Sequence, residues 1–120
     1  MNIIFGDSIN LLPQGAIVLE LDTLRLDNDH KVKTYCVIEK LPENEYIMLE
    51  KNKMLHTTLL DQYRQKNWEG CRQLIKALHG QWSNELDSFY DILSERIKQL
   101  EQDVLPNNWD GSFVPVKKSL

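Results

Sequence analysis

Few residues in this 120-residue chain have types and spacings that could do chemistry. His30, His56 and His79 could bind a metal or carry protons if they met. None stands at a helical ligand spacing from another, and there is no Cys-x-x-Cys. They are expected to be solvated or capping side chains. Cys36 and Cys71 read as small core hydrophobes rather than a disulfide, which fits a cytoplasmic setting. Asp87, Asp91 and Glu95 follow at helical spacing and should line one solvated helix face. Ser88 and Ser94 have no evident His and acid partners for nucleophilic catalysis. Gly6-Asp7-Ser8 could grip a phosphate, but one glycine without a following Lys-Ser/Thr reads as a tight turn. No catalytic residue, metal or cofactor is expected, and the reading leans against an enzyme.

A second kind of signal is a repeated word. Residues 67–70 read NWEG and residues 108–111 read NWDG. The first is followed by CRQLIKALHG, apolar at a period of 3.6, so Asn67 should cap a helix with Glu69 near its positive end. The second is followed by SFVPV, which is extended and broken by Pro115. Their flanks differ, so they are not copies of one repeat unit. Asp110-Gly111 should make a turn that folds the tail back and docks Trp109 on the third helix or the hairpin. The alternative for Trp109 is an interface anchor, since Trp and Tyr are enriched in binding surfaces. In that role it would act with Asp110, Trp82 and Tyr63.

The elements that position these residues follow from periodicity. In residues 16–26, Ile17, Leu19 and Leu21 alternate with Val18, Glu20 and Asp22, and the alternation then shifts to Leu24 and Leu26. DNDH at 27–30 is turn chemistry. In residues 31–38, Val32, Thr34, Cys36 and Ile38 share a face opposite Lys33, Tyr35 and Val37. Residues 16–38 are therefore expected to be a β-hairpin. Residues 2–5 or 112–116 could join its sheet. After Pro42 the period becomes helical. Met48, Leu55, Leu59 and Tyr63 predict a helix over 45–66. Trp68, Cys71, Leu74, Ile75 and Leu78 predict a second, ended by Gly80. Leu86, Phe89, Tyr90, Leu93, Ile97 and Leu100 predict a third, capped by Ser83 or Asn84 and stopped by Pro106.

Composition bounds the function classes. Length fits a single domain over 1–120, with a β-rich part at 1–41, a helical part at 44–103 and a tail at 104–120. A net charge of −4 with scattered Lys and Arg argues against nucleic-acid binding. No run approaches the length of a membrane span, and MNIIFGDS lacks the basic start of a signal peptide.

Three resemblances add to this. Tyr63, Trp68, Cys71 and Leu78 are spaced like the packing positions of a tetratricopeptide unit. ELDTLRLDNDHKVKTYCVIEKL, residues 20–41, resembles the last hairpin of bacterial class III adenylate and guanylate cyclases. The segment Pro106-Asn107-Asn108-Trp109-Asp110-Gly111 resembles part of the tetratricopeptide-like tail that follows many of them. This likeness spans residues 17–118. GDSINL, 6–11, is similar to that family's Gly-Asp-x-Val-Asn stretch, but the arginine expected one turn later is absent and no cyclase activity is carried over. The chain also resembles small proteins of T4-like cyanobacterial phages, through Glu20–Thr23, Lys51–Lys53, Lys66–Trp68 and Gly80–Tyr90.

The expected fold is α+β: a small antiparallel sheet built on the 16–38 hairpin, three antiparallel helices and a short extended C-terminal tail. The expected function is a non-enzymatic binding or regulatory protein, phage-encoded and acting on a host protein in the host cytoplasm. The alternative is a small nucleotide-binding protein or enzyme with vestigial cyclase ancestry, its pocket lined by Asp7, Asn10, Asp22 and Arg25. A structural homo-oligomer is the third reading.

Overall fold

The computed structural model describes residues 2–12, 15–27 and 30–113. β1 (Asn2–Phe5), β2 (Ile17–Arg25) and β3 (Lys31–Ile38) form one antiparallel sheet in the order β1-β3-β2. The fold is therefore α+β, with β3 the central strand of the sheet and β2 at its edge. Residues 2–5 do join the sheet. From the tail, Phe113 makes one parallel bridge to Leu24, and the rest of 112–116 beyond it lies outside the described residues. The shift in hydrophobic alternation after Leu21 has a backbone cause, because the β2–β3 register slips between Glu20 and Thr23. Ile17, Leu19 and Leu21 on β2 and Thr34, Cys36 and Ile38 on β3 are buried.

Three long helices follow, α2 (Leu49–Arg64), α3 (Trp68–Leu78) and α4 (Asp87–Leu100), after one short turn of helix, α1 (Glu43–Tyr46). The single helix expected over 45–66 is thus split at Ile47 and Met48. Met48 stays at the surface, and the buried side of α2 is Asn52, His56, Leu59, Leu60 and Tyr63. Two polar residues sit on that stripe because each finds a partner inside. Asn52 Nδ2 donates to Gln81 Oε1 at 3.1 Å, and His56 bonds on both ring nitrogens. This corrects the expectation that all three histidines are solvated or capping.

α3 begins as expected: Asn67 Oδ1 accepts from Gly70 N at 3.1 Å. That cap also explains Gly70, where a Cβ would stand 2.8 Å from Asn67 Nδ2. α4 carries the expected stripe, with Phe89, Tyr90, Leu93 and Ile97 buried. Its start differs. The helix opens at Asp87 with Leu86 in the cap position, so neither Ser83 nor Asn84 caps it. Trp82, Ser83 and Asn84 instead turn left-handed, with φ of 55°, 51° and 62°. Such residues cost about 1–2 kcal/mol each. Glu45 offsets part of this by accepting from Ser83 N at 3.1 Å and Ser83 Oγ at 2.6 Å, which ties α1 to the turn.

The core joins the inner face of the hairpin to α2, α3 and α4, and includes Leu41, Leu59, Cys71, Leu78, Trp82, Leu86 and Tyr90. Both cysteines are free and fully buried, and burial pushes each thiol up to about 11.

Candidate functional site

The side chains expected to contact a partner fall into two groups. Trp82 and Tyr63 are inside the core, 1% and 4% exposed. A partner would reach neither, which corrects their place on the surface. Trp82 is drawn in because the left-handed turn aims its ring inward, where Nε1 donates to Tyr90 Oη at 3.2 Å. Tyr63 Oη is buried beside the Arg96 guanidinium without reaching hydrogen-bonding geometry.

Trp109 and Asp110 form a clasp. Trp109 is half-buried, with its ring 5.3 Å from Tyr63 and 5.9 Å from Trp68. Its seat is therefore the α2–α3 junction, not the third long helix or the hairpin. The next residue reaches the hairpin instead: Asp110 bonds Lys31 and lies 3.6 Å from Arg25. Its Oδ1 also accepts from Ser112 N and Oγ, at 3.0 Å and 2.6 Å. These bonds, led by the one from Lys31, hold its carboxyl well below the usual range. Lys66 Nζ donates to Pro106 O at 3.1 Å and fixes the start of the segment.

The alternative pocket residues do not converge. Asp7 and Asn10 line an open cleft of about 490 Å³ with Ile9, Lys31, Lys33 and Tyr35. Asp22 is elsewhere, paired with Arg96 at 2.7 Å, and Arg25 belongs to the clasp. Arg96 also stacks 3.9 Å from the Phe113 ring centroid. Burial alone would lower the Arg96 pKa, but its bonds to Asp22 outweigh that and raise it.

Sequence reasoning missed a groove between β2 and α2. It has a volume of about 170 Å³, and its lining includes Val18, Glu20, Lys53, His56, Thr57 and Arg64. The Glu20 carboxylate bonds Arg64 and lies 3.1 Å from Lys33. Burial pushes Glu20 up, yet the Lys33 and Arg64 bonds prevail and hold it ionised. At the back, His56 Nε2 meets Glu20 O at 2.6 Å, and Nδ1 meets Tyr90 Oη at 3.0 Å. A carbonyl only accepts and an indole N–H only donates, so one proton arrangement satisfies every atom. Trp82 donates to Tyr90, Tyr90 to His56 Nδ1, and His56 Nε2–H to Glu20 O. The imidazole is neutral, and burial lowers its pKa. The signal available in the sequence was His56 itself, which lies between Asn52 and Leu59 on the stripe.

Among the described residues, no group of three or more His, Cys, Asp or Glu is placed to hold a metal ion. None of their helices is long and apolar enough to cross a membrane. Comparison of the chain with protein-family models, curated proteins and solved structures finds no match.

Proposed function

We propose that this chain is a non-enzymatic binding protein, phage-encoded, that acts on a host protein. The observation that carries the binding role is an uncovered apolar surface at the start of α2. Tyr46, Ile47 and Met48 are consecutive and 46%, 81% and 36% exposed, and Met54 is 70% exposed. Tyr46, Ile47 and Met48 lead directly into α2, and Met54 lies in its second turn. Exposed apolar patches of this kind mark interaction sites, and methionine suits surfaces that adapt to a partner. The phage origin and the host target rest on the sequence resemblance described above.

Affinity capture from a cyanobacterial lysate tests this, with Ile47→Ser/Met54→Ser as the comparison. Both side chains are exposed, so the variant keeps its fold. The expected result is a protein retained by the wild type and lost with the double variant. Equal recovery with both proteins would overturn the assignment.

A second reading, a nucleotide-binding protein, is favoured by the cleft that joins Asp7 and Asn10 to Lys31 and Lys33. Both lysines are already paired, with Asp110 and Glu20. Thermal melting with and without ATP, GTP and Mg²⁺ separates the two readings, because a ligand that binds only the folded state raises Tm.

A further inference from the structure

β2 lies at the edge of the sheet, and part of that edge is unpaired among the described residues. In an antiparallel ladder, the N–H and C=O of one residue point to the same side, and successive residues alternate. Glu20 O points away from β3, since His56 takes it. Val18, two residues earlier, therefore presents its N–H and C=O to the same outer edge. The register slip after Glu20 changes the parity, so Thr23 and Arg25 face outward in the second half. There the edge is closed. Phe113 N donates to Thr23 O at 3.0 Å, and Arg25 N donates to Phe113 O at 2.8 Å.

Among the described residues, the first half, Ile17–Glu20, is stopped only at Glu20 O, and it is this half that borders the 170 Å³ groove. The groove is also positive on an acidic chain. Lys33 and Arg64 pair with the Glu20 carboxylate, Arg64 also pairs with Asp61 at 3.4 Å, and Lys53 has no ion-pair partner among the described residues. An open strand edge supplies main-chain bonds to an extended segment, and an unpaired lysine beside it selects an acidic side chain.

We propose that the Ile17–Glu20 edge of β2 takes up an extended acidic segment of a partner protein as an added strand, with a partner carboxylate on Lys53. His56 sets the limit of pairing. With Glu20 O already taken, the added strand bonds to Val18 N–H, Val18 C=O and Glu20 N–H and goes no further. The footprint is short, so the main-chain bonds act together with the apolar surface around Ile47 and Met54. This assignment rests on the protein-binding reading above and names the chemistry of its partner.

The test is an amide NMR titration of the whole chain with a blocked octapeptide of alternating valine and glutamate. Expected are shifts at Val18 and Glu20, and binding at least tenfold weaker for the valine–lysine peptide and for Lys53→Glu. Val18→Pro removes an outward N–H, leaves the β2–β3 ladder intact, and should abolish binding without lowering Tm. Unmoved Val18 and Glu20 amides, or equal binding of the lysine peptide, would overturn the proposal. A partner captured from lysate that still binds Lys53→Glu and Val18→Pro would also overturn it while leaving the protein-binding reading intact. Acidic-peptide binding that survives Ile47→Ser/Met54→Ser, with no partner captured, would support the groove and count against that broader reading.

Discussion

Trp68 and Trp109 meet with ring centroids 5.9 Å apart at an interplanar angle of 62°. They are the tryptophans of the two Asn-Trp-acid-Gly words. The words differ in local structure, one opening α3 and the other making a docking turn, yet they converge on Tyr63. Edge-on packing of this kind contributes about 0.5–1.5 kcal/mol per pair beyond the area buried.

Trp109→Ala should therefore act on stability. Truncating a fully buried Trp costs about 3–5 kcal/mol, and half-burial brings the expected loss to about 2–3 kcal/mol. Urea unfolding measures it. A change under about 0.5 kcal/mol would mean that the ring does not hold the tail in solution.

Gly111→Ala should cost more than Gly15→Ala. Both glycines have positive φ, 88° and 92°, so each substitution strains the backbone. At Gly15 an added Cβ meets none of the described residues within 4 Å, whereas at Gly111 it would lie 3.0 Å from Arg64 Cγ. The expected losses are about 1 kcal/mol for Gly15→Ala and about 2 kcal/mol for Gly111→Ala. Paired thermal melts check the order.

The contrast between these residues shows what the sequence made legible. The hairpin, the Asn67 cap and the α4 stripe could be read because local periodicity and local chemistry specify them. The split of the first helix could not, because Met48 fits the period and only the finished packing leaves it outside. Trp82 was misplaced for a related reason. Its segment looks like a surface turn, and only the left-handed backbone, braced by Glu45 far away in sequence, turns the indole inward. The β2–α2 groove was hidden because Val18, Glu20, Lys53 and Arg64 come from two elements. Nothing in either element shows where the strand edge meets the helix.

Tyr63→Phe should leave stability unchanged or raise it by up to about 1 kcal/mol. The hydroxyl is buried without a hydrogen bond to any described residue, so its removal relieves a desolvated polar atom and keeps the ring against Trp68 and Trp109. A loss above about 1 kcal/mol in denaturant would show that Oη is bonded in solution, with the neighbouring Arg96 guanidinium as the donor.

Stability should fall with acid in two separate windows. Burial depresses the folded-state pKa of His56, so below the ordinary histidine value of about 6.5 the unfolded chain binds the extra proton. The His56 contribution is complete above that pH. It declines as pH falls toward the folded-state value, no more steeply than about 1.4 kcal/mol per pH unit. Glu20 and Asp110 are also depressed, but from carboxylate values, so their contributions persist until pH falls below about 4. His56→Gln separates the windows. Its amide can still donate to Glu20 O but cannot titrate, so the variant should be less stable at pH 7.5, with the His56 part of the loss between pH 7 and 5 removed. The decline below about pH 4 should remain. Urea midpoints across pH read both effects. An undiminished loss between pH 7 and 5 in His56→Gln would show that His56 is not the group that charges.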